Sequence, residues 1–324
     1  MQRDGGFAQI SHSGAAGVVT RAENLWCGSA CKGVECSASA SCETWDGAHF
    51  AGLSGRPRYC ASRSDANSFA QTCVVARGLH GSARRKRGPM HTINIPPSVV
   101  TRVVERCGTE HPHAMLDPKR TALIVIDLQN GFMLEGVAHS LCKAAADIVP
   151  NVNRLAAALR RTGGKVFWIQ NTHDDGCLTS WSHMHEMVRP EKRDHRVRAM
   201  SEGTVGHQLW AELEVQPEDI LLQKRRFSAL IQGSSDLEAQ LRAGGYDTVL
   251  ITGTVTNVCC ESTARDAMML NFRTIMVSDG NAAANDEEHN ASLIAFYLTF
   301  GDVMNTDFII QRLEAGGSAR QAAE

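Results

Sequence analysis

No apolar run in these 324 residues approaches the ~18 that a membrane span requires, which excludes a helical transmembrane protein. Charge of one sign is missing too. A formal net charge of -2 gives no electrostatic reason to expect a nucleic-acid partner. Internal repeats are absent, and so are the paired C-x-x-C knuckles with matching histidines that would mark a zinc module.

The balanced average conceals a division near Met90. Residues 1–89 carry 11 Lys/Arg against 6 Asp/Glu, and residues 90–324 carry 22 against 29. The first segment has only 12 Leu, Ile, Val or Phe in 89 residues, below the roughly 20% at which a packed core becomes doubtful. Ser, Ala, Gly and Arg dominate it without periodicity, so disorder is expected over 1–89. It has neither the charged start and continuous apolar block of a secretory leader nor the amphipathicity of an import signal. Met90 as the natural start, with an over-extended reading frame before it, is an alternative reading. Six of the eleven cysteines lie in this segment: Cys27, Cys31, Cys36, Cys42, Cys60 and Cys73. Neither a metal module nor a disulfide framework is expected from them, because the remainder reads as a cytoplasmic enzyme with reduced thiols. Arg84–Arg87 reads as a solvated linker.

What is present lies in residues 90–324, read as an arm over 90–116 and one domain over 117–324. Thr121 to Asp127 is a short apolar run closed by an acid, the pattern of a buried parallel strand. A helix over 147–161, stopped by Gly163-Gly164, and a strand over 165–170 follow. Residues 171–205 are polar, His-rich and broken by Gly and Pro, as in a lid or binding loop. A short helix over 206–213, a strand over 219–223, a helix over 235–243 and a strand over 248–251 come next. The remaining elements are a helix carrying Cys259 and Cys260, a strand over 273–278, a helix over 285–299, a short strand near Val303 and a terminal helix. The alternation implies an α/β fold with a parallel sheet covered on both faces.

In such a sheet ligands sit beyond the carboxyl ends of the strands. Asp127, Lys224 and Cys259 fall at three such ends. Singly, each has an ordinary reading: a turn cap, a rim charge, a small buried side chain. Together they form a thiol nucleophile, a carboxylate to move its proton, and a cation to hold that carboxylate ionised. A thiol at a helix start also meets the positive end of the helix dipole, which favours thiolate. Backbone N–H groups of Val255 and Cys259 are the candidate oxyanion donors. Consecutive helix positions face about 100° apart, so Cys260 is read as packing.

Three stretches carry a resemblance over residues 117–315: Ala122 to Phe132, Lys224 with Arg226-Phe227-Ser228, and Thr252 to Asp266. They resemble the isochorismatase-like hydrolase superfamily, cysteine hydrolases that include N-carbamoylsarcosine amidase, nicotinamidase and ureidoacrylate amidohydrolase. The resemblance implies a three-layer doubly wound sandwich with a six-stranded parallel sheet. It implies an Asp127–Lys224–Cys259 triad, a non-proline cis peptide at Thr254–Val255, and a homo-oligomer, dimer or tetramer. The reaction expected is hydrolysis of a small linear amide or an N-carbamoyl or ureido compound through a thioester, releasing ammonia or an amine. An isochorismatase proper, cleaving a vinyl ether by protonation, is the alternative, and a non-catalytic member of the fold is the remaining one. Asn171 stands where ureidoacrylate amidohydrolases bind substrate, while His173 replaces an expected aromatic residue. Gln129, Phe132, Trp181 and Phe227 complete the substrate-facing candidates. His173, Asp174, His183 and His185 are metal-ligand types, with His183-x-His185 as a pair. Their order departs from the nicotinamidase pattern, so no metal or other cofactor is expected.

Overall fold

The computed structural model describes residues 90–174 and 176–321; the extension read over 1–89 lies outside the described residues. Six strands form one sheet: β1 (Thr121–Ile126), β2 (Lys165–Asn171), β3 (Ile220–Lys224), β4 (Thr248–Thr254), β5 (Arg273–Ala282) and β6 (Asp302–Met304), in the order β3-β2-β1-β4-β5-β6. Every pairing is parallel, which bears out the expected six-stranded α/β sheet. The chain builds outward from β1 on one side, then returns to build outward from β4 on the other. Ligands collect where that order reverses, and here the reversal lies between β1 and β4.

The helices are α1 (Pro97–Cys107), α2 (Asn130–Met133), α3 (Ala145–Thr162), α4 (Cys177–Ser180), α5 (Ser182–Glu186), α6 (Pro190–Met200), α7 (Leu237–Ala243), α8 (Glu261–Met269), α9 (Asp286–Thr299) and α10 (Thr306–Gln321). Among the described residues no helix is long and apolar enough to cross a membrane.

Strand pleating divides the core. Leu123 and Val125 of β1 join Val166, Trp168, Leu250 and Ile275 on the face covered by α3 and α10. Ala122, Ile124 and Ile126 join Phe167, Ile169, Val249 and Ile251 on the opposite face, beneath α7, α8 and α9. On α3, Ile148, Val152, Leu155 and Leu159 are fully buried at helical spacing, each contributing about 1.5–3 kcal/mol by burial. Gly163 at φ 94 ends that helix in a left-handed cap, donating to the Arg160 carbonyl. At the head of α9, Asn285 caps the Glu288 N–H at 2.8 Å, with three acids in the first turn.

One sequence expectation is corrected. Residues 206–213 form turns instead of a helix, because their backbone is drawn into pairing with the segment after β1. Gln129 bridges Leu209, and the Trp210 N–H donates to the Leu128 carbonyl at 2.9 Å. The arm contains a helix, α1, whose Val99 and Val103 are buried in the same cluster as Leu293 and Phe296 of α9.

Candidate active site

The ends of β1, β3 and β4 carry the three ionisable residues singled out by sequence. Asp127 follows β1 in a left-handed conformation, φ 55, and its N–H donates to the Ile169 carbonyl. Aspartate tolerates this region better than most residues, and the turn aims its carboxylate across the strand ends. Lys224 is the last residue of β3, in register with Asn171 of β2. Its Nζ lies 2.8 Å from Asp127 Oδ2, with both side chains completely buried, and also donates to the Arg226 carbonyl at 3.1 Å.

β4 approaches β1 closely at this end. Gly253, at φ 123, is in register with Ile126, and a Cβ there would sit 2.0 Å from the Ile126 carbonyl oxygen. Only glycine fits that approach. The next peptide, Thr254–Val255, is cis. Thr256–Cys260 then make one π turn before α8 begins at Glu261. That turn buries the Cys259 thiol close enough to Asp127 and Lys224 for both charges to act on it. Cys260 is wholly buried, its sulfur 4.0 Å from the Thr252 carbonyl, which is a packing position.

The electrostatics revise one expectation. Burial pushes the Cys259 thiol up to about 12, and the nearby Lys224 only partly opposes this. The helix-start argument for a resting thiolate meets an opposing effect: the cysteine precedes the α-helix proper, and its burial raises the thiol against the pull of Lys224. Burial also lifts Asp127 above the usual carboxylate range, against the pull of Lys224, so it is a stronger base than a surface aspartate. Burial works against the Lys224 charge, but Asp127 and Cys259 carry its net shift upward and keep it an ammonium.

With that geometry in place, known proteins supply the comparison. Residues 121–308 match the isochorismatase domain. The chain belongs to the isochorismatase family. Ureidoacrylate amidohydrolase RutB of Serratia proteamaculans (strain 568) is 30% identical over 211 residues, covering 61% of this chain and 84% of its own length. The uncharacterised isochorismatase family protein YecD of Escherichia coli O157:H7 is 32% identical over 201 residues, 61% of this chain and 98% of its own. Among solved structures, a cysteine hydrolase from Pseudomonas syringae pv. phaseolicola 1448A superposes with a TM-score of 0.56 at 28% identity, covering 62% of this chain and 96% of its own. This isochorismatase-family chain is accordingly a hydrolase.

The other sequence candidates divide. Asn171 is buried at the end of β2 with its side-chain oxygen lacking a protein partner among the described residues, as a group awaiting a ligand would be. Gln129 is a brace. Its Nε2 donates to the carbonyls of Asn171 and His207, and its oxygen accepts the Asn171 N–H at 2.8 Å. Phe132 is buried in the core cluster, edge-on to His139 at 4.8 Å. Trp181 and Phe227 stand edge-to-face at 4.7 Å, and the Arg226 guanidinium lies over the Trp181 ring.

The His-rich segment is a small helical lid made of α4, α5 and α6. His183 and His185 do not form the expected pair, because residues two apart on a helix face away from each other. His183 is exposed and joins Glu186 at 3.1 Å, and Asp174 pairs with Arg225. His185 instead meets His173 and Cys177, the three ligand-type atoms all lying within 4.8 Å of one another. Sequence reasoning missed Cys177; its spacing of four from His173 was the available signal. It also missed Arg196, whose charge acts on His139, His173, His185 and Cys259. Burial drives His139 and His173 down to about 3, so both are neutral imidazoles. The three donors suit a soft divalent cation, but the Arg196 charge beside them opposes one.

Proposed function

We propose that this chain is a cysteine-dependent amidohydrolase that cleaves a C–N bond of a small linear amide, N-carbamoyl or ureido compound. The observation that carries the reading is the fully buried Lys224–Asp127 ion pair, with the buried Cys259 thiol near enough for both charges to act on it. The name of the RutB relative supports an amide or ureido substrate.

The mechanism follows from which groups hold protons at rest. Asp127, its basicity raised by burial, takes the Cys259 proton as Sγ attacks the carbonyl carbon. The negative charge moves to the carbonyl oxygen, where the backbone N–H groups of Val255 and Cys259 receive it. Asp127 returns the proton to the nitrogen, the C–N bond breaks, and ammonia or an amine leaves a thioester. Water, deprotonated by Asp127, attacks the thioester, and the departing sulfur recovers its proton. Lys224 stays charged throughout and fixes the carboxylate. Asn171, with its free oxygen, is the group we assign to binding the substrate's N–H. No step passes through a metal.

A vinyl-ether hydrolase needs the acid but not the thiol. Ammonia release from N-carbamoyl acids, ureido acids and simple amides, compared between wild type and Cys259→Ala, tests the assignment. The expected loss is about a thousandfold or more, as for removal of other nucleophiles. Full activity in the variant would sink it.

A further inference from the structure

Among the described residues, the lid carries a cation with no counter-charge beside it. On α6, Arg196 precedes Met200 by one turn, so the two share a face of that helix. Met200 shows which way that face points. It is completely buried, its carbonyl accepts the His173 N–H at 3.1 Å beyond the end of β2, and its sulfur closes on Gly131 of α2, beyond the end of β1. Arg196 is therefore carried over the strand ends where Asp127 and Cys259 lie. Other half-buried arginines meet acids, as Arg160 meets Asp219 and Arg265 meets Glu261. Among the described residues no carboxylate lies within ion-pair distance of Arg196. Its guanidinium donates to the sulfur of Met184 at 2.9 Å, a weak acceptor.

The described neighbours leave the charge unanswered. His139 and His173 are neutral, and the positive charge of Lys224 is already matched by Asp127. A guanidinium withdrawn from water and facing thiols and neutral imidazoles is favourable only when an anion joins it. Its planar fork fits a carboxylate with two parallel hydrogen bonds.

We propose that Arg196 is the carboxylate-binding residue of this site, and that its substrates are small amide or ureido acids whose carboxylate lies remote from the scissile C–N bond. The substrate class rests on the amidohydrolase reading; the anion subsite does not.

Two measurements separate these. The first compares hydrolysis of N-carbamoyl-β-alanine with that of its methyl ester by wild type, Arg196→Met and Arg196→Lys. The acid should be preferred by wild type. Arg196→Met should lose on the order of thirtyfold in kcat/KM for the acid, mainly through KM, with the ester changed far less. Arg196→Lys should recover part of the loss. Equal losses on acid and ester, or no preference in wild type, would overturn the proposal. The second needs no turnover: the ratio of Cys259 alkylation rates by iodoacetate and by iodoacetamide. That ratio should fall in Arg196→Met. An unchanged ratio overturns the anion subsite, as does a thiol that neither reagent reaches. A falling ratio without any amide hydrolysis would leave the subsite standing and remove the amidohydrolase reading.

Discussion

Lys224 shows how much one side chain controls here. It is fully buried beside a fully buried carboxylate, so each charge is tolerable only because the other is present. Lys224→Met should cost about 3–5 kcal/mol in urea unfolding, because it strands Asp127 without a partner. Adding Asp127→Asn to that variant should restore most of the stability while leaving the protein inactive. If the double variant were as unstable as the single, the pair would not be the source of the cost. At this scale the three residues of the proposed triad could be singled out because Asp127 and Lys224 stand at strand ends and Cys259 just beyond one, where parallel sheets place their chemistry. The thiol's protonation was not legible: a sequence shows that Cys259 stands near a helix start, but not that its sulfur is buried. Arg196 was hidden among several basic residues of α6, distinguished only by the face it shares with Met200.

Elements decide the spacing between these residues. β1 and β4 run so close at their carboxyl ends that Gly253 meets the Ile126 backbone directly, one residue before Asp127. Gly253→Ala adds a methyl group where φ is 123 and a carbonyl oxygen blocks it. The expected destabilisation is about 3 kcal/mol or more in chemical denaturation, with activity falling further than stability because the Asp127 turn must shift. A fully stable, fully active variant would contradict the close approach. Most strands and helices could be read from apolar periodicity, since each buries one stripe or lies wholly in the core. The turn segment over 206–213 could not. Its apolar residues Leu209, Trp210 and Leu213 pack against the α3-side core from an irregular backbone, and spacing alone does not distinguish that from a helix. The lid helices α4 and α5 escaped notice for a different reason: they are a single turn each, too short to show a period.

For the whole molecule, buried neutral histidines set the acid limit of stability. His139 and His173 are driven by burial to about 3 and His289 to about 4, from an ordinary 6.5. Between those values the unfolded chain binds protons that the native state refuses. The stabilisation from the neutral form is therefore complete above about pH 6.5 and declines as pH falls toward 4. The urea midpoint should drop steadily across that window, and a flat profile would contradict the buried placement of these rings. The opposite sign applies to Cys259, whose raised value makes the native state hold a proton the unfolded chain releases, so stability should fall again from about pH 9 toward 12.

The central claim is that Cys259 forms a covalent intermediate, and the most direct measurement is the intact mass of protein quenched in acid during turnover of an N-carbamoyl acid. The account predicts an acyl adduct mapping to the peptide that contains Cys259, absent from Cys259→Ala. Turnover that continues in Cys259→Ala, with no adduct on the wild-type chain, would contradict it.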